Sequence, residues 1–372
     1  MQTHAPPPRT PAEAQGAAAG AGINFVYHTI GHGGGMERYA LDVVAELQRR
    51  RVPLHLVARR VAWDGLAAGT TTSVIPRIKA LGRLGNLALD LLSCGRRVPG
   101  WTTVGISRLN GCADIAISGG THLAHLRQKG RSRRSLHDRL TIALERRHYG
   151  GARFVVAHSG RVRQEIIADC GVDADKVITL PPPVDTRRFN LGARAHREGI
   201  RAALGIAPEG FLLLFPSNNH ALKGLDLILL ALRQFPDIRL AIAGKKQDTP
   251  AGVIELGNLR DIEKYYAAAD AVVLASRYEA FGMVAPEAIL CGTPALIADT
   301  VGASAFLAEP GARVFTRDVD ALAATLRVAL EAHRRGASVL EAPQDCIRYD
   351  YTVQGHVDRL LELVQRIGPA AG

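Results

Sequence analysis

The stretch GINFVYHTIGHGGGMERYALDVV, residues 22–44, indicates the fold class of the first half of the chain. Its first nine residues form an apolar, β-branched run typical of a buried strand, and three glycines at 33–35 then place a loop after that strand. From Met36 the apolar residues recur at the three- and four-residue spacing of a helix face. The order of strand, glycine loop and helix predicts the first unit of a parallel α/β sheet.

The first half continues to alternate between buried strands and helices. The further predicted strands are VPLHLVAR (52–59), CADIAIS (112–118) and ARFVVAHS (152–159), and the predicted helices include LHDRLTIALERRHY (136–149) and GRVRQEIIADCG (160–171). This alternation is typical of a doubly wound sheet.

The second half repeats the pattern. Its predicted strands are GFLLLFPS (210–217), IRLAIAGK (238–245), DAVVLAS (270–276) and TPALIAD (293–299), and its helices are LKGLDLILLALRQF (222–235), LRDIEKYYAAA (259–269), APEAILCG (285–292) and DALAATLRVALEAHRR (320–335). We therefore predict an α/β protein of two Rossmann-like, doubly wound domains. In such sheets ligands bind beyond the carboxyl ends of the strands, so the loops at 31–35 and 276–284 are expected to face one central cleft.

The length of 372 residues exceeds what one hydrophobic core usually holds, which also favours two domains. The segment VITLPPPVDTRRF (177–189) carries three prolines, which continue neither a helix nor a strand, and we place the domain boundary there. The predicted parts are a disordered tail at 1–22, a first domain at 23–184, a second domain at 185–348, and a C-terminal helix within 349–372 that packs back on the first domain.

The cysteine pattern and the lengths of the apolar runs indicate the cellular compartment in which the protein is expected. Five cysteines, odd in number and without CxxC spacing, signal neither a disulfide framework nor a zinc site, which predicts a reducing cytoplasm. The N-terminal residues lack the pattern of a secretory signal. The longest apolar runs fall far short of the ~20 residues that a membrane span needs, so we expect a soluble or membrane-peripheral protein.

The positive charge is confined to the first half. Residues 1–185 hold 25 Lys and Arg against 14 Asp and Glu, a net of +11, whereas residues 186–372 hold 21 of each. Within the first half the run RQKGRSRRSLHDR (127–139) is strongly basic. Such a run is often only a solvated loop, but the one-sided charge favours an anionic partner surface. An aromatic content of 5% without interleaved basic and aromatic residues argues against nucleic acid and leaves acidic lipid headgroups.

The segment SRYEAFGMVAPEAILCGTP (276–294) places Glu279 and Glu287 on either side of an FGMV turn, after a predicted strand and at the start of a predicted helix. Backbone N–H groups in such a turn and the positive end of a helix form an anion site. The alternative for Glu287 taken alone is a carboxylate that only complements the helix dipole. Two carboxylates beside a phosphate-binding turn instead suggest acceptors for the hydroxyl groups of a sugar phosphate.

These residues resemble the E-x7-E segment of family 4 retaining glycosyltransferases of the GT-B fold. The resemblance extends from residue 23 onward, and its elements are GGGMERYALDVV, LPPPVDTRRF, LKG, ELGNLRDIEKYYAAADAVVLAS and the E-x7-E segment itself. Within the family, the GGTH and QKG stretches and the LPPPVD ending are most similar to the lipopolysaccharide core glucosyltransferase I group. The resemblance implies an acceptor-side first domain and a second domain that binds a nucleotide sugar.

The resemblance also implies residue roles. Glu287 matches the acid that binds the nucleotide ribose, Glu279 matches the acid near the donor sugar, and Lys223 matches the cation that contacts the diphosphate. The turn that holds the sugar and the diphosphate corresponds to Phe281, Gly282, Met283 and Val284. The loop that approaches the donor phosphates corresponds to Gly33, Gly34 and Gly35, where a side chain would block close approach.

The resemblance also implies roles for three further positions, some of which differ from the residue that relatives usually have. Asn218 stands where relatives often have an arginine, so Lys223 bears more of the leaving-group charge or another cation such as Lys245 assists. Leu259 is expected beside the base through its backbone. His122, in SGGTHLAH, follows a predicted strand near an active-site polar residue of relatives, and its alternative is a loop histidine with local hydrogen bonds.

The implied reaction is hexose transfer with retention from a nucleotide sugar, with UDP-glucose favoured by the subgroup, to a lipid-linked or lipopolysaccharide-core acceptor at the inner face of the cytoplasmic membrane. No cofactor and no metal are expected. The DxD pairs Asp173–Asp175 and Asp318–Asp320 fit a surface turn and a helix cap better than a metal site. The alternatives are a transferase for a soluble acceptor, a UDP-sugar epimerase of the same fold, and a non-catalytic nucleotide-sugar-binding protein.

Overall fold

A computed structural model describes residues 22–31, 33–82, 84–130, 133–246 and 249–368. The predicted disordered tail therefore lies outside the described residues except for Gly22, and so does Arg131 of the basic run.

The first domain is built on one parallel sheet. Its seven strands are β1 (Ile23–Gly31), β2 (Leu54–Ala62), β3 (Thr71–Val74), β4 (Thr102–Gly105), β5 (Ile115–Ser118), β6 (Phe154–Ala157) and β7 (Val177–Thr179), in the spatial order β3-β2-β1-β4-β5-β6-β7. The sequence did not predict β3, β4 or β7. All three are short, and the segment TTSV of β3 is a polar, largely exposed edge strand without the apolar run of a buried one.

The helices of the first domain cover both faces of this sheet. They are α1 (Gly35–Arg49), α2 (Ala88–Leu92), α3 (His122–Gln128), α4 (Leu136–Gly151) and α5 (Gly160–Cys170). Alternate residues of β1 point to opposite faces: Phe25 packs with α1, whereas Val26 packs with Leu89 of α2. On that second face Val155 of β6 packs with Tyr149 of α4. Helices α2, α4 and α5 therefore share the face opposite α1.

The second domain contains a six-stranded parallel sheet. Its strands are β8 (Phe211–Pro216), β9 (Ile238–Ala243), β10 (Ile254–Gly257), β11 (Ala271–Leu274), β12 (Ala295–Ala298) and β13 (Ala312–Phe315), in the order β10-β9-β8-β11-β12-β13. The helices are α6 (Arg197–Ala203), α7 (His220–Lys223), α8 (Leu225–Leu232), α9 (Ile262–Ala268), α10 (Val284–Leu290) and α11 (Val319–Arg334). Two parallel, doubly wound sheets confirm the predicted fold class.

One predicted helix of the second domain is broken. The sequence predicts a single helix over 222–235, but α7 ends at Lys223 and α8 begins at Leu225. Gly224 between them has φ +83°, and a Cβ there would lie 2.2 Å from the carbonyl oxygen of Ala275. The break therefore brings the end of α7 against the residues that follow β11.

The chain crosses between the domains twice. The backbone N–H of Val184 donates to the carbonyl of Tyr351 at 2.7 Å, so the two crossing segments are hydrogen-bonded to each other. The last helix, α12 (Val353–Ile367), then packs on α1 through Val357, Leu360 and Leu363. His356 bonds both to the Tyr39 hydroxyl at 2.8 Å and to the carbonyl of Pro181 at 3.0 Å, which ties α12 to α1 and to the crossing.

The cysteine prediction is wrong at one pair. Cys94 and Cys112 are joined in a disulfide, while Cys170, Cys291 and Cys346 are free. Cys94 and Cys112 are 18 residues apart with β4 between them, so no short cysteine-spacing motif predicts the pair. The predicted reducing compartment rested on unpaired cysteines and loses that support. Separately, no helix in the described part of the chain is long and apolar enough to cross a membrane.

Candidate functional site

A cavity of about 660 Å³ lies between the two sheets at the carboxyl ends of their strands. This volume is in the range of ligand-binding pockets in proteins. The first domain lines it with Gly33, Gly34, Gly35, Met36, Arg38, Tyr39, Gly119, His158 and Pro182. The second domain lines it with Pro216, Ser217, Asn218, Lys223, Ala243, Gly244, Asn258, Leu259, Ile262, Tyr266, Glu279, Ala280, Phe281, Gly282, Met283, Val284 and Glu287.

The cavity brings together all the residues predicted to bind the donor. It does not include His122, which begins α3 and whose Nε2 lies 2.9 Å from Asp138 Oδ1. The backbone N–H of His122 donates to Glu145, which fixes the residue further. His122 therefore makes local hydrogen bonds and is not among the residues that line the cavity.

A different histidine, His158, lines the cavity. It follows the last residue of β6 and is buried. Burial, together with the nearby His356, lowers the pKa of His158 to about 3, so its imidazole is neutral near pH 7. Its Nε2 has no hydrogen-bond partner in the described ranges. Residues just after the strands of such a sheet are expected to line a ligand site, but His158 was not predicted from the sequence.

The FGMV turn depends on Gly282. Gly282 has φ +97°, and a Cβ there would lie 2.7 Å from Val301 Cγ1, so a larger residue would distort the turn. Within the described residues, the backbone N–H groups of Gly282, Met283 and Val284 donate to no acceptor. Helix α10 has only seven residues, so these local N–H groups, more than a long helix dipole, make the turn suitable for an anion.

Glu287 is buried and joins the two domains. Arg38 Nη1 of α1 donates to Glu287 Oε1 at 2.5 Å, and the Tyr266 hydroxyl donates to Oε2 at 3.1 Å. Burial raises the pKa of Glu287, although the Arg38 charge and the Tyr266 hydrogen bond act in the opposite direction. Arg38 was not predicted from the sequence, because no local pattern shows that an arginine on an amphipathic helix reaches another domain.

Lys223 and Glu279 lie side by side in the cavity. Lys223 Nζ is 3.4 Å from Glu279 Oε2, which also accepts from the Ser276 hydroxyl at 3.0 Å. Both side chains are about one quarter exposed, so they face the open part of the cavity. The break at Gly224 is what places Lys223 beside the segment after β11.

The second cation of the cavity is Arg38. Asn218 lines the cavity and its Oδ1 accepts from the backbone N–H of Lys245 at 3.0 Å. The side chain of Lys245 is exposed and is not part of the lining. Among the described lining residues, Arg38 and Lys223 are the two that carry a positive charge.

Further contacts connect the two rims of the cleft. The Ser159 hydroxyl, at the start of α5, donates to the carbonyl of Ala280 at 2.6 Å. The Tyr278 hydroxyl donates to Glu165 Oε2 of α5 at 2.8 Å. The loop that contains Glu279 is therefore held by the first domain on both sides.

Both DxD pairs have local structural roles. Asp173 Oδ1 accepts from the backbone N–H of Asp175 in a surface turn, and Asp318 Oδ1 accepts from the N–H of Ala321 as the N-cap of α11. In the portions of the chain that the structure covers, no three His, Cys, Asp or Glu side chains are grouped so as to hold a metal ion.

Comparison with known proteins matches both halves of the chain. The family model of glycosyltransferase family 4 matches residues 33–188, and that of glycosyl transferases group 1 matches residues 196–352. The chain is 37% identical over 353 residues to a probable transglycosylase of Burkholderia thailandensis, covering 92% of this chain and 96% of that protein. It is 31% identical over 170 residues to the D-inositol 3-phosphate glycosyltransferase of Xylanimonas cellulosilytica, covering 40% of each.

Solved structures resemble the whole architecture. The lipopolysaccharide-biosynthesis glycosyltransferase WaaG superimposes with a TM-score of 0.71 at 18% identity, covering 94% of this chain and all of WaaG. HepE from Anabaena, in complex with UDP and glucose, superimposes with a TM-score of 0.73 at 19% identity, covering 93% of this chain and 100% of HepE. At such identities the likeness shows the shared two-domain fold.

Proposed function

The chain belongs to the family 4 glycosyltransferases, and we propose that it is a hexosyltransferase. The proposed donor is a UDP-linked hexose, with glucose as the proposed sugar, and the proposed acceptor is a lipid-linked or lipopolysaccharide-core saccharide. The transfer retains the anomeric configuration and needs no metal ion.

The observation that carries the proposal is the convergence of two carboxylates, two cations and a turn with unpaired N–H groups on one cavity. Glu287 would accept hydrogen bonds from the ribose hydroxyls, and Glu279 from a hydroxyl of the donor sugar. The diphosphate would lie between the turn 281–284 and Lys223. The side of the diphosphate that faces the first domain would meet Gly35, where a Cβ would have no neighbouring side chain or other element within 4 Å among the described residues.

The proposed chemistry uses the donor itself as the base. The bond from the anomeric carbon to the diphosphate oxygen breaks, and a bond to the acceptor oxygen forms on the same face of the sugar. The acceptor proton passes to the departing diphosphate oxygen, so no side-chain nucleophile is needed. Lys223 and the N–H groups of the turn stabilise the charge that develops on the leaving group.

UDP as the nucleotide is supported by HepE, which was crystallised with UDP and with glucose and shares this fold. Glucose is also the sugar transferred by the subgroup that the sequence most resembles. The neutral imidazole of His158 adds a polar group with a free ring nitrogen at the first-domain wall of the same cavity.

The lipid-linked acceptor is supported by the basic first domain. Arg133 and Arg134, just before α4, are exposed, and Leu136 at the start of α4 is 63% exposed. Arg127 is ion-paired with Asp169 and is less available. An exposed basic and apolar stretch of this kind fits the anionic headgroups of a membrane.

A donor screen tests the nucleotide and the sugar. Melting temperatures are measured with UDP-, GDP- and ADP-linked glucose and with UDP-linked galactose and N-acetylglucosamine. Because a ligand that binds only the folded state stabilises it as the logarithm of its concentration over Kd, UDP-glucose should give the largest shift. A larger shift with a GDP- or ADP-sugar would reassign the nucleotide, and no shift with any of them would contradict donor binding.

A further inference from the structure

We propose that the β3–β4 segment, residues 74–101, inserts apolar side chains into an anionic lipid bilayer. The inference rests on the proposed function for the presence of a membrane-bound acceptor, and on the following observations for the surface itself.

The segment exposes an unusual number of large apolar side chains. Among the described residues eleven such side chains are exposed, and five of them fall in 19 consecutive positions of this segment. They are Val74 (55% exposed), Ile78 (44%), Leu81 (56%), Leu91 (50%) and Leu92 (54%). Single exposed apolar residues are ordinary on a protein surface, whereas a concentration of them marks an interaction site.

The segment that carries these exposed side chains is attached to the sheet by its buried residues and by a hydrogen bond. Ile75 and Leu89 are buried in one cluster with Val26 and Val57 of the sheet. The Arg59 guanidinium donates to the carbonyl of Asn86 at 2.9 Å. Leu91 lies two positions after buried Leu89 and therefore points to the opposite side of helix α2, and Leu92 is exposed at the C-terminal end of that helix.

The far end of the segment is anchored as well. The side chain of Asn24 exchanges hydrogen bonds with the backbone of Val98, at 2.8 and 3.1 Å, and the disulfide joins Cys94 to Cys112. These contacts hold both described ends of the segment, so less conformational freedom is lost there when the segment meets a partner, which favours binding by pre-organised apolar groups.

The charge of the segment identifies the partner. Arg77, Lys79 and Arg96 are exposed, and the one acidic residue between positions 71 and 113 is Asp90. Asp90 is fully buried and lies 3.4 Å from the Arg108 guanidinium, so it presents no negative charge to the outside. Apolar side chains flanked by cations match a bilayer that contains anionic lipid. A second copy of the same surface would bring like charges together.

The position of the segment suits such a docking mode. The segment begins at the carboxyl end of β3, and the carboxyl ends of the strands face the cleft. Helix α2, within the segment, lies on the same face of the sheet as α4. Helix α4 presents Leu136 and Leu140 (40% exposed) beside Arg139. A protein docked through this side would hold the cleft-facing strand ends of its first domain near membrane-bound saccharides.

Vesicle binding tests the proposal. Partition of the full chain is measured by cosedimentation with vesicles of phosphatidylcholine containing phosphatidylglycerol, at low and at high salt. The apolar variant is Ile78→Gln/Leu81→Gln, and the matched control is Leu230→Gln/Val314→Gln, whose side chains are 43% and 49% exposed in the neutral second domain. A charge variant, Arg77→Gln/Lys79→Gln, separates the electrostatic contribution.

The wild-type protein should retain part of its binding at high salt, since apolar insertion is not screened. The apolar variant should bind about tenfold more weakly at both salt concentrations. The charge variant should lose about thirtyfold at low salt, and little at high salt. The control should bind as the wild type does, and circular dichroism should show all variants folded.

Equal binding of the apolar variant and the wild type would overturn the proposal, as would failure of the wild-type protein to bind anionic vesicles. A dimer in sedimentation velocity that the apolar variant loses would overturn it too and assign the surface to a second copy. Titration with UDP-glucose in the same variants separates the two hypotheses, because donor binding is expected to be unchanged in all of them.

Discussion

At the scale of single residues, the Arg38–Glu287 pair is central because it connects the two domains through the residue proposed to bind ribose. Both oxygens of Glu287 are engaged, one by Arg38 and one by Tyr266. A ribose with two neighbouring hydroxyls needs the same oxygens. Donor binding therefore has to share this carboxylate with Arg38 or displace it, which links occupancy of the second domain to a contact with the first.

The two acids are expected to respond differently to substitution. Glu287→Ala removes the acceptors for ribose and should mainly raise the Kd for the donor, whereas Glu279→Ala disturbs the sugar beside the reacting carbon and should mainly lower kcat. Each loss is expected to be about 2–4 kcal/mol, because a charged hydrogen bond is left unmade in a closed site. Donor titration and steady-state kinetics on both variants measure this, and wild-type values for both would refute the assigned roles.

Substitution of Arg38 should make donor binding dependent on pH. The Arg38 charge opposes the rise in the pKa of buried Glu287, so Arg38→Met should raise that pKa further. A protonated Glu287 has fewer acceptor positions, so the donor affinity of the variant should begin to fall at a higher pH than that of the wild type. Calorimetric titration with UDP at a series of pH values checks this, with Arg38→Lys as the charge-retaining control. A variant whose affinity depends on pH as that of the wild type does would contradict the role of Arg38.

The site residues that the sequence predicts are those that belong to one contiguous sequence motif. Glu279, Glu287 and the turn between them lie in one contiguous motif, so the sequence identifies them together. Arg38 and His158 reach the cavity from a helix face and a strand end of the other domain, and no local pattern marks that approach. His122 was proposed by its neighbourhood in sequence, but Asp138 and Glu145 hold it in a local network away from the cavity.

At the scale of elements, α12 is notable because it leaves the second domain and completes the core of the first. Its buried polar attachment is His356, which is bonded to Tyr39 and to the carbonyl of Pro181. Burial lowers the pKa of His356 to about 4 from an ordinary value near 6.5.

This shift predicts a loss of stability on acidification. Between pH 6.5 and about pH 4 the unfolded chain binds a proton at His356 and the folded chain does not, so the free energy of unfolding falls as the pH falls. The contribution is about 1.4 kcal/mol per pH unit in this window. In His356→Gln, the variant to be compared by urea unfolding, the slope against pH should be smaller by this amount. An identical slope would mean that His356 does not titrate differently on folding.

The strands and helices that the sequence predicts well are the long apolar or strongly periodic ones, such as β1, β8 and α1. Short strands such as β3 and β10 have no apolar run of their own and exist because a neighbouring strand offers them hydrogen bonds. The helix predicted across Gly224 failed because its periodicity continues through the break, while the close approach of Ala275 depends on the tertiary fold.

At the scale of the whole molecule, charge and function are divided between the two domains. The first half carries the net charge of +11, and the second half, which holds the predicted donor residues other than Gly33, Gly34 and Gly35, is neutral. The sequence establishes this division without the structure. It does not reveal the Cys94–Cys112 disulfide or which part of the basic domain is exposed, because both follow from the path of the chain between β3 and β5.

The basic run before α4 should contribute to membrane affinity independently of the apolar segment. Arg133→Gln/Arg134→Gln should weaken binding to anionic vesicles by about thirtyfold, at ~1 kcal/mol for each residue near the surface. The loss should shrink as salt is added, since screening shortens to ~8 Å at physiological ionic strength. Unaltered cosedimentation of this variant would mean that the run is only a solvated loop.

The most direct test of the central claim is a calorimetric titration of the wild-type protein with UDP-glucose in the presence of EDTA, repeated with manganese in place of EDTA. If Lys223, Arg38 and the N–H groups of the 281–284 turn supply the positive field of the donor site, the Kd should be the same in both titrations. Binding that appears only with manganese would contradict the metal-free site, and an absence of binding in both would contradict the assignment of this cavity to a UDP-sugar donor.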